Sequence, residues 1–422
     1  MRMRGWLVGL CAVASTLTLG GCGGDSGGKP SAATPTGITA GTEELMGGQS
    51  GLRSSIAVDA IGQPHAISDS GLVSGPNVFF FDKIGGVWSE HTFNVQSRLN
   101  PATDWLFGPH IEIDSLGRAW TTATMVTPGD GGEPACGAAV MVRENVATDA
   151  RAVIYASQNT VWELPWTWGQ ALSSLDPALP EECIVMSVNA FWSRFTYNAS
   201  SSSRVTQGGV NAVPAIQGGE KMGFAISKAG SVAHTDGSHA VWHVAGHGFS
   251  KWDSGYQNTL RIDKGLEPIK FAAVSRYPVL GDDYTWPGVC GDNLNPEVAY
   301  ISSDYTDWRN GGSLGVQMNI YDPVKDAMIF PTSANLLLDA NGTSGTQRYP
   351  PAMAAARNGG VFIAWTSANR INVQYVGSDG KVGVKADVAA GTCPAICIDQ
   401  NGNIHLAYQN GSMRYRLLTV QY

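Results

Sequence analysis

The chain has 422 residues, of which 15% are charged, with 27 Lys and Arg against 35 Asp and Glu for a net charge of −8. No cluster of cations is available to neutralise a phosphate backbone, which argues against a nucleic-acid partner. The 52 glycines and 13 tryptophans suit a chain of many tight turns and many packed or exposed rings.

Arg2 and Arg4 precede an apolar stretch from Trp6 to Leu19, followed by Leu19-Gly20-Gly21-Cys22. This order resembles a bacterial lipobox, so residues 1–21 read as a lipoprotein signal peptide and Cys22 as the acylated, palmitate-carrying N-terminus. Ordinary secretion is the alternative. The apolar run is short for a membrane span, and Gly23 after the lipidated cysteine implies an outer-membrane destination. Residues 22–51 hold Gly, Ser, Pro, Thr and Ala with few large apolar side chains. They read as a flexible tether, and residues 52–422 as one large β domain.

That domain repeats. Ile56-Ala57-Val58-Asp59-Ala60-Ile61-Gly62 alternates and then enters an Asp-x-x-Gly turn, where Asp accepts backbone N–H groups and Gly supplies a positive φ. Copies follow at Asp114-Ser115-Leu116-Gly117 and Asp399-Gln400-Asn401-Gly402, with weaker ones opening at Ser227 and Ala356. The two long intervals each hold about two repeats, which predicts further copies near residues 165–190 and 285–305. Cys183–Val188 and Pro296–Ile301 are the strand-like segments there. Second hairpins turn at Gly85-Gly86 and at Ser378-Asp379-Gly380. Two hairpins per repeat make a four-stranded sheet, and radial repetition of such sheets makes an all-β propeller. Seven blades are expected, with six or eight as alternatives. The last copy ends at its third strand, so an N-terminal strand near residues 41–50 is expected to supply the missing edge.

The pattern of apolar strand, Asp-x-x-Gly, His or Trp, then a hairpin with Gly-Gly or Asp-Gly resembles the BNR-type propellers of exported bacterial proteins. That group includes sialidase-like proteins and propeller polysaccharide lyases. Asp114-Ser115-Leu116-Gly117-Arg118-Ala119-Trp120 is the nearest approach to a sialidase box and has the wrong Asp-to-Gly spacing, and no arginine triad is evident. Sialidase activity is therefore disfavoured.

In propellers of this kind ligands bind opposite the Asp-x-x-Gly turns, at the starts of the inner strands and the ends of their partners. The ligand-binding candidates there are Asp104, Trp105 and His110; Asp236 and His239; Asp282, Asp283, Tyr284 and Trp286; Arg348 and Tyr349; Trp365; and Tyr408. Aromatic faces stack on sugar C–H faces and polar groups bond hydroxyls, so a carbohydrate is the expected ligand; the competing role for each ring is filling gaps between blades. Trp162-Glu163-Leu164-Pro165-Trp166-Thr167-Trp168 is either a stacking platform or part of the third blade.

A lyase would draw its base and carboxylate-steadying cation from His110, His239, Arg348 and Tyr349, and a glycosidase would need paired Asp. No metal site and no cofactor is expected, with Asp282, Asp283 and Asp292 as a weak Ca²⁺ alternative. His65 and His405 recur at equivalent places and are read as hydrogen-bonding within their blades. Five cysteines remain for an oxidising compartment: Cys136 with Cys183, and Cys290 with Cys393 or Cys397, are the candidate disulfides, and buried thiols the alternative. The leading expectation is a monomeric, envelope-anchored propeller that binds a glycan or other extracellular ligand and touches the membrane through its lipid. A polysaccharide lyase or glycosidase, and a protein-interaction platform in an envelope complex, are the alternatives, so catalysis stays open.

Overall fold

The computed structural model describes residues 33–48, 53–69, 77–94, 105–113, 117–128, 134–143, 152–160, 172–174, 182–187, 191–197, 205–212, 220–229, 241–249, 257–264, 270–278, 285–295, 298–307, 312–322, 324–325, 327–330, 336–339 and 351–422. Among them every regular element is a strand, and the strands form seven antiparallel sheets in chain order.

The first sheet runs Ser54–Val58, Pro64–Asp69, Asn77–Ile84 and Val87–Asn94. The second runs Trp105–Ile113, Ala119–Pro128, Pro134–Arg143 and Ala152–Thr160. The third comprises Leu172–Ser174, Glu182–Ser187, Phe191–Tyr197 and Val205–Ala212. The fourth comprises Glu220–Ala229, Val241–Phe249, Gln257–Lys264 and Lys270–Pro278. In the fifth, Thr285–Gly291, Ala299–Asp307 and Gly312–Asp322 carry two short outer pieces, Ala327–Met328 and Leu336–Asp339. The sixth is Ala352–Ala355, Val361–Ser367, Arg370–Val376 and Val382–Ala390. The seventh is Thr392–Ile398, Ile404–Gln409 and Met413–Gln421. Each inner strand lies against the inner strand of the next sheet, and that of the last lies against that of the first. This is a β-propeller, and the sheets are its blades.

The seventh blade takes its outer strand from the N-terminus. Gly37–Ala40 pairs antiparallel with Met413–Gln421, in the register Gly37 opposite Gln421, and Glu44–Leu45 continues along the same edge. A tether reaching to residue 51 is therefore too long. Residues 37–46 belong to the propeller, because they satisfy a bare strand edge and bury Met46 beside Phe81 and Tyr415.

The core lies between blades. Ile56, Phe79 and Phe81 of the first blade meet Ala395, Ala407 and Tyr415 of the seventh, and Cys290, Tyr300 and Ile320 of the fifth meet Val361 and Val376 of the sixth. Each large side chain so buried contributes about 1.5–3 kcal/mol.

One of the weaker repeats is corrected, and the inferred copy near residues 285–305 gains its turn. Ser227 does not open a turn, since it lies within the inner strand Glu220–Ala229, opposite His243. The fifth repeat turns at Asp292: its N–H bonds the carbonyl of Val298, six residues on, where Asp59 and Asp399 bond Gln63 and Asn403 four residues on. The longer turn removes the Asp-x-x-Gly spacing while keeping its carboxylate.

Candidate functional site

The two ends of the blades differ in how completely their polar groups are used. At the turn end, Asp59 Oδ1 accepts the N–H groups of Ile61 (3.0 Å) and Gln63 (2.8 Å), and Asp399 Oδ1 those of Asn401 and Asn403 (both 2.8 Å). Gly62 and Gly402 follow with φ of 82° and 85°, conformations that glycine adopts without a Cβ clash. The second carboxylate oxygen lies 3.4 Å from His65 Nε2 in one blade and 3.4 Å from His405 Nε2 in the other. The other ring nitrogen meets Asp82 Oδ1 or the Tyr415 hydroxyl, at 2.9 Å in each case. These histidines hydrogen-bond within their own blades, as the repeat implied.

Tyr300 fills the same place in the fifth blade. Its hydroxyl donates to Asp292 Oδ2 at 2.6 Å, and the same oxygen accepts the Gly360 N–H of the sixth blade at 2.7 Å. Oδ1 of Asp292 takes the N–H groups of Leu294 and Asn295. This buried carboxylate fastens the turn of the fifth blade to the sixth blade across their seam. Burial, then the charge of Asp292, drives the Tyr300 phenol far above its usual range. Among the described residues no three His, Cys, Asp or Glu side chains gather to hold a metal ion.

The opposite end is assembled from the starts of the inner strands. Asp69, fully buried, accepts the N–H groups of Arg53 and of Gly108 in the second blade, both at 3.3 Å. Ser54 Oγ donates to the Cys393 carbonyl of the seventh blade at 3.3 Å. Gly108 and Cys393 occupy equivalent positions, each with φ of 54° and each followed by proline, and each begins a bulge. Trp286-Pro287 and Pro350-Pro351 stand at the corresponding points of the fifth and sixth repeats. This recurring X-Pro at the inner-strand entry is a signal the turn-based reading passed over. Proline there withholds a donor that an inner strand beyond a bulge does not use.

The bulge in the second blade sets His110 directly opposite Thr122. Neither His110 Nδ1 nor Thr122 Oγ1 has a hydrogen-bond partner, although both atoms are buried. Burial pushes the His110 pKa down to about 4, so the imidazole is neutral at pH 7. The other buried side-chain atoms without partners among the described residues are Ser302 Oγ, Thr366 Oγ1, Gln409 Nε2 and Arg414 Nε. By register Thr366, Gln409 and Arg414 lie at the end opposite the turns, while His110, Thr122 and Ser302 stand near mid-height, three residues from the turn end of their strands. Buried polar atoms are nearly always paired, so these atoms, from mid-height to the end opposite the turns, mark the candidate ligand region.

Two aromatic candidates are corrected. Trp365 is 1% exposed; its Nε1 donates to Asp339 of the fifth blade at 2.8 Å and Lys385 caps its ring at 4.8 Å. Tyr408, fully buried, donates its hydroxyl to Glu43 and receives Arg416 Nε at 3.2 Å. Neither ring offers a face to a sugar, and both fill seams. Trp105 and Trp286 fall inside inner strands instead of ahead of them. Cys22, Asp104, Asp236, His239, Asp282, Asp283, Tyr284, Arg348, Tyr349 and the Trp162–Trp168 segment lie outside the described residues. Cys290, Cys393 and Cys397 carry no disulfide, which removes the pairing of Cys290 with either partner; they stand in inner strands of different blades or on one strand. Cys136 and Cys183 stand on strands of the second and third sheets.

No family model matches the chain, and no curated protein does. Among solved structures, a protein of unknown function from Dyadobacter fermentans is similar at a TM-score of 0.50 and 10% identity, over 91% of this chain and all of that one. A β-propeller domain from Myceliophteria thermophila follows at 0.47 and 10% over 90% and 100%. An intramolecular trans-sialidase from Ruminococcus gnavus, solved with oseltamivir carboxylate, follows at 0.42 and 9% over 86% and 93%. These are likenesses of fold alone.

Proposed function

We propose that this protein is an exported, lipid-anchored propeller that binds a carbohydrate at the end opposite its Asp-x-x-Gly turns. The observation that carries the reading is the adjacent, buried and unpartnered pair His110 Nδ1 and Thr122 Oγ1. A neutral imidazole nitrogen accepts a hydrogen bond from a sugar hydroxyl, and a threonine hydroxyl both donates and accepts. The same geometry weighs binding above a lyase. A base whose conjugate acid has a pKa of about 4 is poorly matched to removing a carbon-bound proton near neutral pH.

The test is titration of the full chain with a panel of neutral and uronate-containing glycans, following heat of binding and ultraviolet absorbance together. Binding without unsaturated product is expected, and His110→Ala and Thr122→Val should each weaken it about tenfold, the loss of roughly one hydrogen bond. Accumulation of unsaturated product would replace the binding reading by the lyase. Unchanged affinity in both variants would remove the ligand from this end.

A further inference from the structure

Of the nine exposed large apolar side chains among the described residues, seven stand at the turn face; Leu45, opposite Arg414 at the other end, and Leu337, on the outer edge of the fifth blade, do not. Ile61 is 79% exposed, Val87 68%, Leu294 57% and Val324 90%, and Ile84 and Val382 stand at 44% and 46%. Ile61 and Leu294 lie in turns between inner and second strands. The other four lie at hairpins between third and outer strands. Register places both kinds of connection at the same end, because Pro64, the residue after the first turn, stands near the level of Ile84. Tyr422, 38% exposed, adds the seventh blade. The first, fifth, sixth and seventh blades, consecutive around the ring, thus all carry apolar tips on the turn face. Scattered apolar residues need no explanation, but one face that collects them marks an interaction surface.

Two of its lysines are paired locally: Lys325, beside Val324, with Asp322 at 3.1 Å, and Lys381, beside Val382, with Asp379 at 2.6 Å. An apolar tip flanked by a long cationic stem suits the boundary between lipid headgroups and acyl chains.

The chain outside the propeller says what covers this face. Gly37 pairs with Gln421, and the Thr36 N–H donates to the Gln421 carbonyl at 2.7 Å, at the turn end of the seventh blade. Thr36 therefore stands at the face that bears the apolar tips. Resting on the lipid-anchored reading above, Cys22 precedes Thr36 by 14 residues, and a Gly/Ser-rich sequence of that length would span about 20 Å root-mean-square. Such a leash holds the face at a high effective concentration against the bilayer carrying the lipid. We propose that the turn face is a docking surface for a phospholipid bilayer, so that the propeller lies turn face down with its ligand end directed away from the membrane.

The test is hydrogen exchange on the full lipidated chain, in phosphatidylcholine vesicles and in detergent. On transfer to vesicles, amides of the turn-face connections at residues 60–62, 84–87, 322–325 and 378–382 should exchange at least about threefold more slowly, while the opposite hairpins at 368–369 and 410–411 stay unchanged. Because the docking is argued from apolar tips and not from net charge, raising the salt to 0.5 M (about a 4 Å screening length) should leave this protection in place. A variant combining Ile61→Ser, Val87→Ser, Val324→Ser and Val382→Ser should lose the protection while remaining on the vesicles. If the fourfold variant unfolds early, Val87→Ser with Val324→Ser gives the same reading with less perturbation. Vesicle association without turn-face protection overturns the docking and spares the anchor; no association at all overturns the anchored reading itself. Protection that also appears in detergent and rises with protein concentration assigns the face to a second copy, and overturns the proposal.

Discussion

Asp292 and Asp399 open equivalent turns and do different amounts of work. Asp399 serves two backbone N–H groups of an exposed turn, the Asn403 amide and one histidine. Asp292 serves four donors from two blades in a buried seam. Asp292→Ala should therefore cost about 3–5 kcal/mol and Asp399→Ala about 1–2 kcal/mol, since stranded buried donors are the costly ones. Ala356, at the same point of the sixth repeat, shows that a turn of this kind closes without the carboxylate. Urea midpoints of the two variants check the ranking, and a smaller loss at Asp292 would refute it. Acid sensitivity follows from residues of the same kind. His110 is lowered to about 4 and His405 is lowered too, burial being the first cause in each. The unfolded chain then takes up protons near pH 6.5 that the folded chain refuses, so stability is full above that pH and falls as the pH drops toward 4. Thermal midpoints across this window should fall, and His110→Leu should flatten part of the slope. Burial, followed by the charges of Asp399 and Glu112, raises the Cys397 thiol far above its usual range, which leaves little thiolate to react. Peptide mapping under non-reducing conditions should show no bridge to Cys290, Cys393 or Cys397, and alkylation of Cys397 should require denaturant.

The Asp-x-x-Gly hairpin was legible because every determinant sits within five residues: a carboxylate that bonds its own turn and a glycine of positive φ. Gly117 and Gly359, with φ of 78° and 86°, show the same geometry in the second and sixth blades. The fifth turn was hidden by its extra residues, and the fourth was misplaced because Phe224–Gly230 alternates like a strand entering a turn while the strand runs on to Ala229. Seam residues were illegible for another reason. Nothing local to Trp365 or Tyr408 announces Asp339 or Glu43, the groups that occupy them. The closing strand of the seventh blade was expected from the N-terminus near residues 41–50, and the structure sets it slightly earlier, at 37–40 and 44–45. Glu43 binds Tyr408 and Arg416, and Glu44 pairs with Lys83 at 2.6 Å and accepts Trp88 Nε1 at 2.8 Å, so residues 43–44 join the last blade to the first. Tyr408→Phe should lower stability by about 1.5–3 kcal/mol, the range for a charge-assisted hydrogen bond, measured by denaturant titration. Removing residues 33–46 should do more, because it bares the edge Met413–Gln421 and the pocket of Met46; size-exclusion chromatography should then show self-association through that edge.

At the scale of the molecule the two faces separate two tasks. Among the described residues the turn face is dressed with apolar tips, whereas the buried unpartnered polar atoms stand at mid-height and at the opposite end. Repeat logic brought this much within reach of the sequence: it said which end is scaffold. It could not say which side chains at the other end are free, since that depends on neighbours a blade away. The anchor has its own test. Cys22→Ser should abolish metabolic labelling with palmitate, and a labelled Cys22→Ser variant would remove the lipid from this position.

The closure by Gly37–Ala40 also has a consequence in time. Thr36 and Gln421 are 385 positions apart, so the first of these strands to be synthesised is the last to find its partner. While the chain is being made, Gly37–Ala40 must wait without a sheet, and the seventh blade cannot be finished until Met413–Gln421 has been added. At a synthesis rate of about 5–20 residues per second that wait is on the order of 20–80 s, and pairing so remote in sequence is intrinsically slow. Through that interval the incomplete ring offers an open edge, so this protein should depend most on holding chaperones just before its final strand arrives.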